Sequence, residues 1–177
     1  MIGVLVSGEG SNLQALLDAG LPVAAVASNK PGVRALERAD AAGVPSAAFQ
    51  LDEFADRAQR DTTMANWLQE QGVRLVVCAG YMHLLTPPFL ERFPERIVNV
   101  HPSLLPEFPG ARALEEALAA GIETTGVTVH LVDEGLDTGV VIRQEPVPVE
   151  PAETLAERIQ AVEHRLLPEV VKDLCAH

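Results

Sequence analysis

Asn99 and His101 stand two residues apart at the end of the apolar run in RIVNVHPSLLPEFPG, residues 96–110. On a strand, residues two apart project from the same face, so an amide and an imidazole share one side of the chain. An amide donor beside an imidazole suits acyl transfer, where an oxyanion must be stabilised and protons moved. Three prolines, Pro102, Pro106 and Pro109, follow within eight residues. Proline fixes φ and restricts the residue before it, so His101 is expected in a fixed position rather than on a flexible tip. A plainer reading stays open, in which Asn99 satisfies a nearby backbone group and His101 caps the strand.

Asp137, in DEGLDTG at 133–139, is the carboxylate that could orient the imidazole and favour its charged form. Asp133 and Glu134 compete for that role, and an Asp before Thr-Gly also serves turn chemistry. The other histidines carry less. His130 shares a strand face with Thr128, His83 opens the loop YMHLL, His164 falls on the last helical stretch and His177 is terminal. None is spaced as a local metal site, so no metal is expected. No serine has a nucleophile-elbow context and neither cysteine an activating one, so no covalent carrier is expected.

A second group of residues lies at the start. SGEGSNLQALL, residues 7–17, runs from a strand through glycines into a helix. Glycine lets the backbone approach a ligand, and the first amides of a helix are unpaired donors at the positive end of its dipole. Such a loop binds a phosphate without a basic side chain. A dinucleotide fingerprint would require a third glycine near Leu13 and an acid after the second strand, where Ser28 and Asn29 stand instead, and the lysine of a Walker loop is absent. A single phosphate is the expected ligand. A tight turn capped by Ser11 or Asn12 explains the loop equally well.

The elements that must position these residues alternate. Apolar strand-like runs at 2–6, 22–27, 44–49, 73–79 and 97–101 are separated by helical periodicity over 12–19, 33–42, 54–71, 84–93 and 113–120. A strand pair follows at 127–132 and 140–144, then an amphipathic helix over 154–174. This alternation predicts an α/β fold, a doubly wound, mostly parallel sheet flanked by helices, with ligands beyond the carboxyl ends of its strands. A chain of 177 residues is within the size of one domain, and 1–177 is read as one. Apolar residues make up 47% and aromatic ones 4%, which favours helices packed on a sheet over a β-sandwich.

The net charge of −12 excludes a general nucleic-acid or acidic-membrane surface. Two cysteines, Cys78 and Cys175, are too few for a disulfide framework, and Cys78 reads as core. No signal peptide or membrane span is apparent, so a soluble cytoplasmic protein is expected.

Three segments in this order, SGEGSNLQALL, NVHPSLLPEFPG and GVTVHLVDEGLDTGVVI, resemble the 10-formyltetrahydrofolate-dependent formyltransferases over nearly the whole chain. HPSLLP marks the wider group, and GSNLQ resembles the branch that formylates glycinamide ribonucleotide in de novo purine (IMP) biosynthesis. The resemblance implies a Rossmann-like formyltransferase fold. It implies direct attack of the glycinamide amine on the formyl group of 10-formyltetrahydrofolate, through a tetrahedral intermediate and without a metal. Asn99, His101 and Asp137 match the catalytic trio. Gly10, Ser11 and Asn12 match the phosphate loop, and Gln160 and Glu163 in IQAVEH match ribonucleotide positions on the last helix. Arg57, Met82, His83, Leu84 and Leu85 match folate positions, as do Asn99 and the segment 132–137 with Val132, Asp133, Glu134 and Asp137. The partners implied are these small molecules, with no nucleic acid or membrane, on a monomer or homodimer.

Two residues depart from the pattern. His83 stands where many relatives have arginine, and Arg112 in PGARALEEAL stands where relatives often have a histidine or another polar side chain. The chain also stops soon after its last helix, where relatives usually continue. Alternatives within the group are a methionyl-tRNA formyltransferase, which would need a basic surface and a further domain, and a formyltetrahydrofolate hydrolase, which normally has a regulatory domain at its start. From another class, a binding module that kept the fold without the chemistry would not need Asn99, His101 and Asp137 together.

Overall fold

The structure, a computed structural model, describes all 177 residues and forms two compact units, Met1–Val98 and Asn99–His177. In the first unit, β1 (Ile2–Val6) pairs in parallel with β2 (Val23–Ser28) on one side and β4 (Leu75–Cys78) on the other, and β2 pairs with the short β3 (Ser46–Ala48). Every residue of β1 and β4 is buried, as expected of parallel strands covered on both faces. Burial pushes the Cys78 thiol up to about 12, so it is inert core. The strand order runs β3-β2-β1-β4 and continues through β5 (Ile97–His101), which begins in this unit and ends in the next. The order turns back between β1 and β4, so the loops that follow these two strands flank a switch point, where open α/β sheets bind ligands.

Helices α2 (Arg34–Ala41) and α3 (Arg57–Glu70) pack on β2, and α1 (Ser11–Asp18) packs on α2. Asp56 caps α3, its carboxylate accepting the Gln59 N–H at 2.8 Å. The helix expected over 84–93 shrinks to α4 (Pro87–Leu90). Thr86 precedes a proline and is extended, and both its N–H and its hydroxyl are held by Asp61, so helix cannot extend backwards. Beyond Leu90 the bonds Arg92 N–H to Phe89 O and Phe93 N–H to Leu90 O tighten the turn, and Pro94 ends it.

The second unit contains the end of β5, helix α5 (Ala113–Ala120), β6 (Thr124–Leu131), β7 (Val141–Pro148) and α6 (Leu155–Cys175). β6 and β7 are antiparallel from Thr124↔Pro148 to His130↔Val141 and complete a seven-stranded, mostly parallel sheet. Both strands run longer than expected, because the ladder carries on through polar and proline positions that have no apolar alternation. Helix α6 packs on β6 and β7 through Leu155, Ile159, Leu166, Leu167, Val170 and Val171, a stripe of helical period. No helix is long and apolar enough to cross a membrane.

Candidate active site

In the second unit the end of β5, the end of β6 and the loop 132–140 bring together Asn99, His101, His130 and Asp137. His101 is buried, and its Nδ1 lies 3.4 Å from Asp137 Oδ2. Its Nε2 donates to the Phe108 carbonyl at 2.8 Å, since a carbonyl can only accept. A protonated ring would have both N–H groups facing oxygen. His130 is also buried; its Nδ1 donates to the Leu131 carbonyl at 2.9 Å, and its Nε2 lies 3.5 Å from Asp137 Oδ1 and 3.3 Å from Asn99 Nδ2.

Asp137 thus spans two imidazoles, and its Oδ2 also accepts the Gly110 N–H at 2.8 Å. Burial alone would raise its pKa. The His130 hydrogen bond, the Gly110 N–H and the charges of both rings outweigh burial and hold the carboxyl below its ordinary value. The carboxylate is therefore ionised at neutral pH.

The loop after His101 is fixed by side chains as well as by prolines. The fully buried Thr128 hydroxyl donates to the Ser103 carbonyl at 2.6 Å and accepts from Leu105 N–H at 3.1 Å and from Gln144 Nε2 at 3.0 Å. Gln144 also donates to the Leu105 carbonyl, and Ser103 Oγ to the Glu107 carbonyl at 2.5 Å. Phe108, whose carbonyl touches the His101 ring, and Asp137, whose carboxylate does, both have positive φ, 48° and 54°. For a bulky residue such as Phe108 that is a strained conformation, retained because the surrounding bonds over-determine it.

Val132 is half-buried, and Asp133 and Glu134 are exposed. Asp133 Oδ1 accepts from Gly135 N–H and the Thr138 hydroxyl, which is turn chemistry; of the three acids weighed in this loop, Asp137 is the one that reaches the imidazoles. Gln160 is exposed and Glu163 half-buried on α6, and Arg112 is exposed and pairs with Glu115.

In the first unit the loop after β1 ends at Gly10, which has φ 76° and precedes α1. A Cβ at Gly10 would lie 2.6 Å from Ala35 Cβ, so glycine is required by backbone angle and by close packing on α2. Ser11 and Asn12 form the first turn of α1, both half-buried. The loop after β4 is tied back to the loop after β1, since Met82 N–H donates to Ser7 Oγ at 2.9 Å, and Ser7 Oγ donates to Asn29 Oδ1 at 2.6 Å. Met82 and Leu84 are exposed, 61% and 47%, while Leu85 is buried and His83 between them turns inward. Arg57 is exposed at the start of α3.

Two features escaped sequence reasoning. His130 read as a sheet residue sharing a face with Thr128, and no local signal marks its contact with Asn99, 31 residues away in the chain. Arg60 and Asp61 carried no signal, because charged residues on a helix ordinarily face solvent, whereas both are fully buried here.

Comparison with known proteins shows the family of the chain. The family described as formyl transferase matches residues 1–171, and the chain belongs to that family. Among its relatives, the trifunctional purine biosynthetic protein adenosine-3 of Drosophila melanogaster is 44% identical over an alignment of 178 residues, covering 94% of this chain and 13% of that protein. The chain thus spans a small part of that relative. The phosphoribosylglycinamide formyltransferase of Haemophilus influenzae is 39% identical over 180 residues, covering 97% of this chain and 85% of that protein. The crystal structure of phosphoribosylglycinamide formyltransferase from Streptococcus pneumoniae TIGR4 superposes with a TM-score of 0.93 at 44% identity, covering 98% of this chain and 97% of that one.

Proposed function

We propose that the chain transfers the formyl group of 10-formyltetrahydrofolate to the amine of glycinamide ribonucleotide, a step of de novo purine biosynthesis, with residues 1–177 acting as one formyltransferase domain. The observation that carries this reading is the Asn99–His130–Asp137–His101 cluster, in which one ionised carboxylate lies against both imidazoles and the Asn99 amide lies against His130. Its members are the donors an acyl transfer requires, and neither a serine nor a cysteine stands among them.

In the mechanism, the glycinamide nitrogen attacks the formyl carbon directly, forming the new C–N bond. Asn99 Nδ2–H and a His101 N–H stabilise the oxyanion, and Asp137 holds His101 in orientation. The bond to the folate N10 then breaks, and the proton lost by the amine passes to N10. His101 Nε2, tied to Phe108 O in this structure, exchanges that carbonyl for the oxyanion as substrate arrives.

In the first unit Gly10, Ser11 and Asn12 receive the ribonucleotide phosphate. In the second, Gln160 and Glu163 contact the ribonucleotide. The folate is received by Arg57, Met82, His83, Leu84 and Leu85 of the first unit. In the second unit Asn99, Val132, Asp133, Glu134 and Asp137 receive it. The exposed Met82 and Leu84 suit the flat apolar face of such a ligand. The protein works in the cytoplasm as a monomer or homodimer, with neither nucleic acid nor metal.

The test is to incubate the protein with 10-formyltetrahydrofolate, with and without glycinamide ribonucleotide, and follow deformylation. Formyl transfer to the ribonucleotide, with no deformylation in its absence, is expected. Deformylation without the ribonucleotide would make the chain a hydrolase, and none under either condition would make it a binding module.

A further inference from the structure

Arg60 lies on α3 with no exposed surface. Its Nε donates to Asp61 Oδ1 at 2.8 Å, and its Nη1 lies 3.1 Å from His83 Nδ1. Asp61, equally buried, uses its other oxygen to accept the Thr86 N–H at 2.9 Å and the Thr86 hydroxyl at 2.7 Å. Adjacent residues of one helix therefore hold both His83 and Thr86 of the loop after β4. A guanidinium has five N–H donors and no acceptor. His83 Nδ1 must then present its lone pair, so the ring is neutral with its proton on Nε2. That nitrogen lies 3.3 Å from the Asn29 amide; with the amide's oxygen and nitrogen exchanged, Oδ1 accepts this proton, and the 2.6 Å contact with Ser7 Oγ becomes one in which Asn29 Nδ2 donates to the serine oxygen.

We propose that Arg60 is a positioning residue, which locks His83 in this neutral tautomer and so holds the loop 81–86 in the shape that receives the formyl donor. The proposal rests on the folate role given to this loop above. Protonating His83 Nδ1 would set two N–H donors and two positive charges face to face beside a buried guanidinium, so acid expels the ring and releases the loop.

The surroundings favour the neutral ring. From α3, Arg57 and Arg60 oppose a charge on His83, as does Lys30 from the turn after β2, and Asp61 is the one carboxylate that favours it. The Tyr81 ring meets His83 edge-on, with centroids 5.9 Å apart, and its hydroxyl is pushed upward by burial. Burial first and these cations second lower the His83 pKa from its ordinary 6.5. The locked form is thus fully present above that value and is lost as pH falls below it.

The experiment measures KM for 10-formyltetrahydrofolate and kcat between about pH 8 and about pH 5 on the whole chain, alongside nitrogen-resolved NMR of the His83 ring. The lock predicts an Nε2–H tautomer at neutral pH, and a KM that climbs by up to about tenfold per pH unit on the acid side. His83→Gln, which cannot titrate, loses that climb, and Arg60→Lys, which keeps a donor, retains it. An Nδ1–H tautomer or a charged ring at neutral pH overturns the proposal, as does an acid-side climb in KM unchanged by His83→Gln. If the protein transfers no formyl group at all, the functional reading fails while the tautomer still decides the lock.

Discussion

Asp137 and His101 face each other at 3.4 Å, Oδ2 to Nδ1, while the same oxygen accepts the Gly110 N–H at 2.8 Å. The carboxylate is held by a backbone bond independent of the imidazole, so it orients the ring rather than following it. Asp137→Asn preserves the shape and removes the charge. The expected outcome is a fall in kcat of about 10²–10⁴-fold with little change in either KM, by analogy with loss of an orienting carboxylate in other His-dependent enzymes. Steady-state kinetics on both substrates reads it.

The lowered pKa of Asp137 also makes it a contributor to acid stability. A carboxyl whose folded value is depressed adds stability above its unfolded value, ordinarily 3.8, and loses it as pH falls through that value toward the folded one. Denaturant unfolding of the wild type and Asp137→Asn should therefore show the wild type losing stability relative to the variant on acidification below about pH 5. Parallel pH profiles would contradict the lowered value.

Gly10 is predicted to be intolerant of even one methyl group. Gly10→Ala combines left-handed backbone, about 1–2 kcal/mol for an L-residue, with overpacking against Ala35 that adds about 1–3 kcal/mol. Thermal unfolding should fall clearly and KM for the ribonucleotide rise. At Gly8 a Cβ meets nothing within 4 Å, so Gly8→Ala should leave thermal stability close to that of the wild type.

Thr128→Val replaces a buried hydroxyl by a methyl of similar size. It strands the Leu105 N–H and the Ser103 carbonyl, at about 1–3 kcal/mol for each group left unpaired. Because these groups shape the loop that carries Phe108 and Gly110, kcat should drop together with stability. Unchanged kcat in a destabilised variant would mean that the loop does not position His101.

The sheet and much of the candidate site could be read from the sequence because their signals are local. β1 and β5 have the predicted bounds, an apolar run ending at a glycine loop in one case and at His-Pro in the other. Asn99 and His101 share a face by strand period, and the prolines announce a fixed loop. What stayed hidden depends on distant partners. His130 joins Asn99 across 31 residues, and Arg60 meets His83 across 23. No periodicity marks a helix charge as buried. The helix expected over 84–93 failed for the same reason, since Asp61 holds Thr86 out of it from 25 residues away.

The central claim is that His101 performs chemistry rather than binding. The most direct measurement is kcat for formyl transfer by His101→Ala, set beside calorimetric Kd values of that variant for a non-transferable folate analogue and for glycinamide ribonucleotide. Loss of an oxyanion donor in a dry site is worth about 3 kcal/mol, so kcat should fall by about 10²–10³-fold with both Kd values within a few-fold of wild type. Near-normal kcat, or a loss that lies in the Kd values, would contradict it.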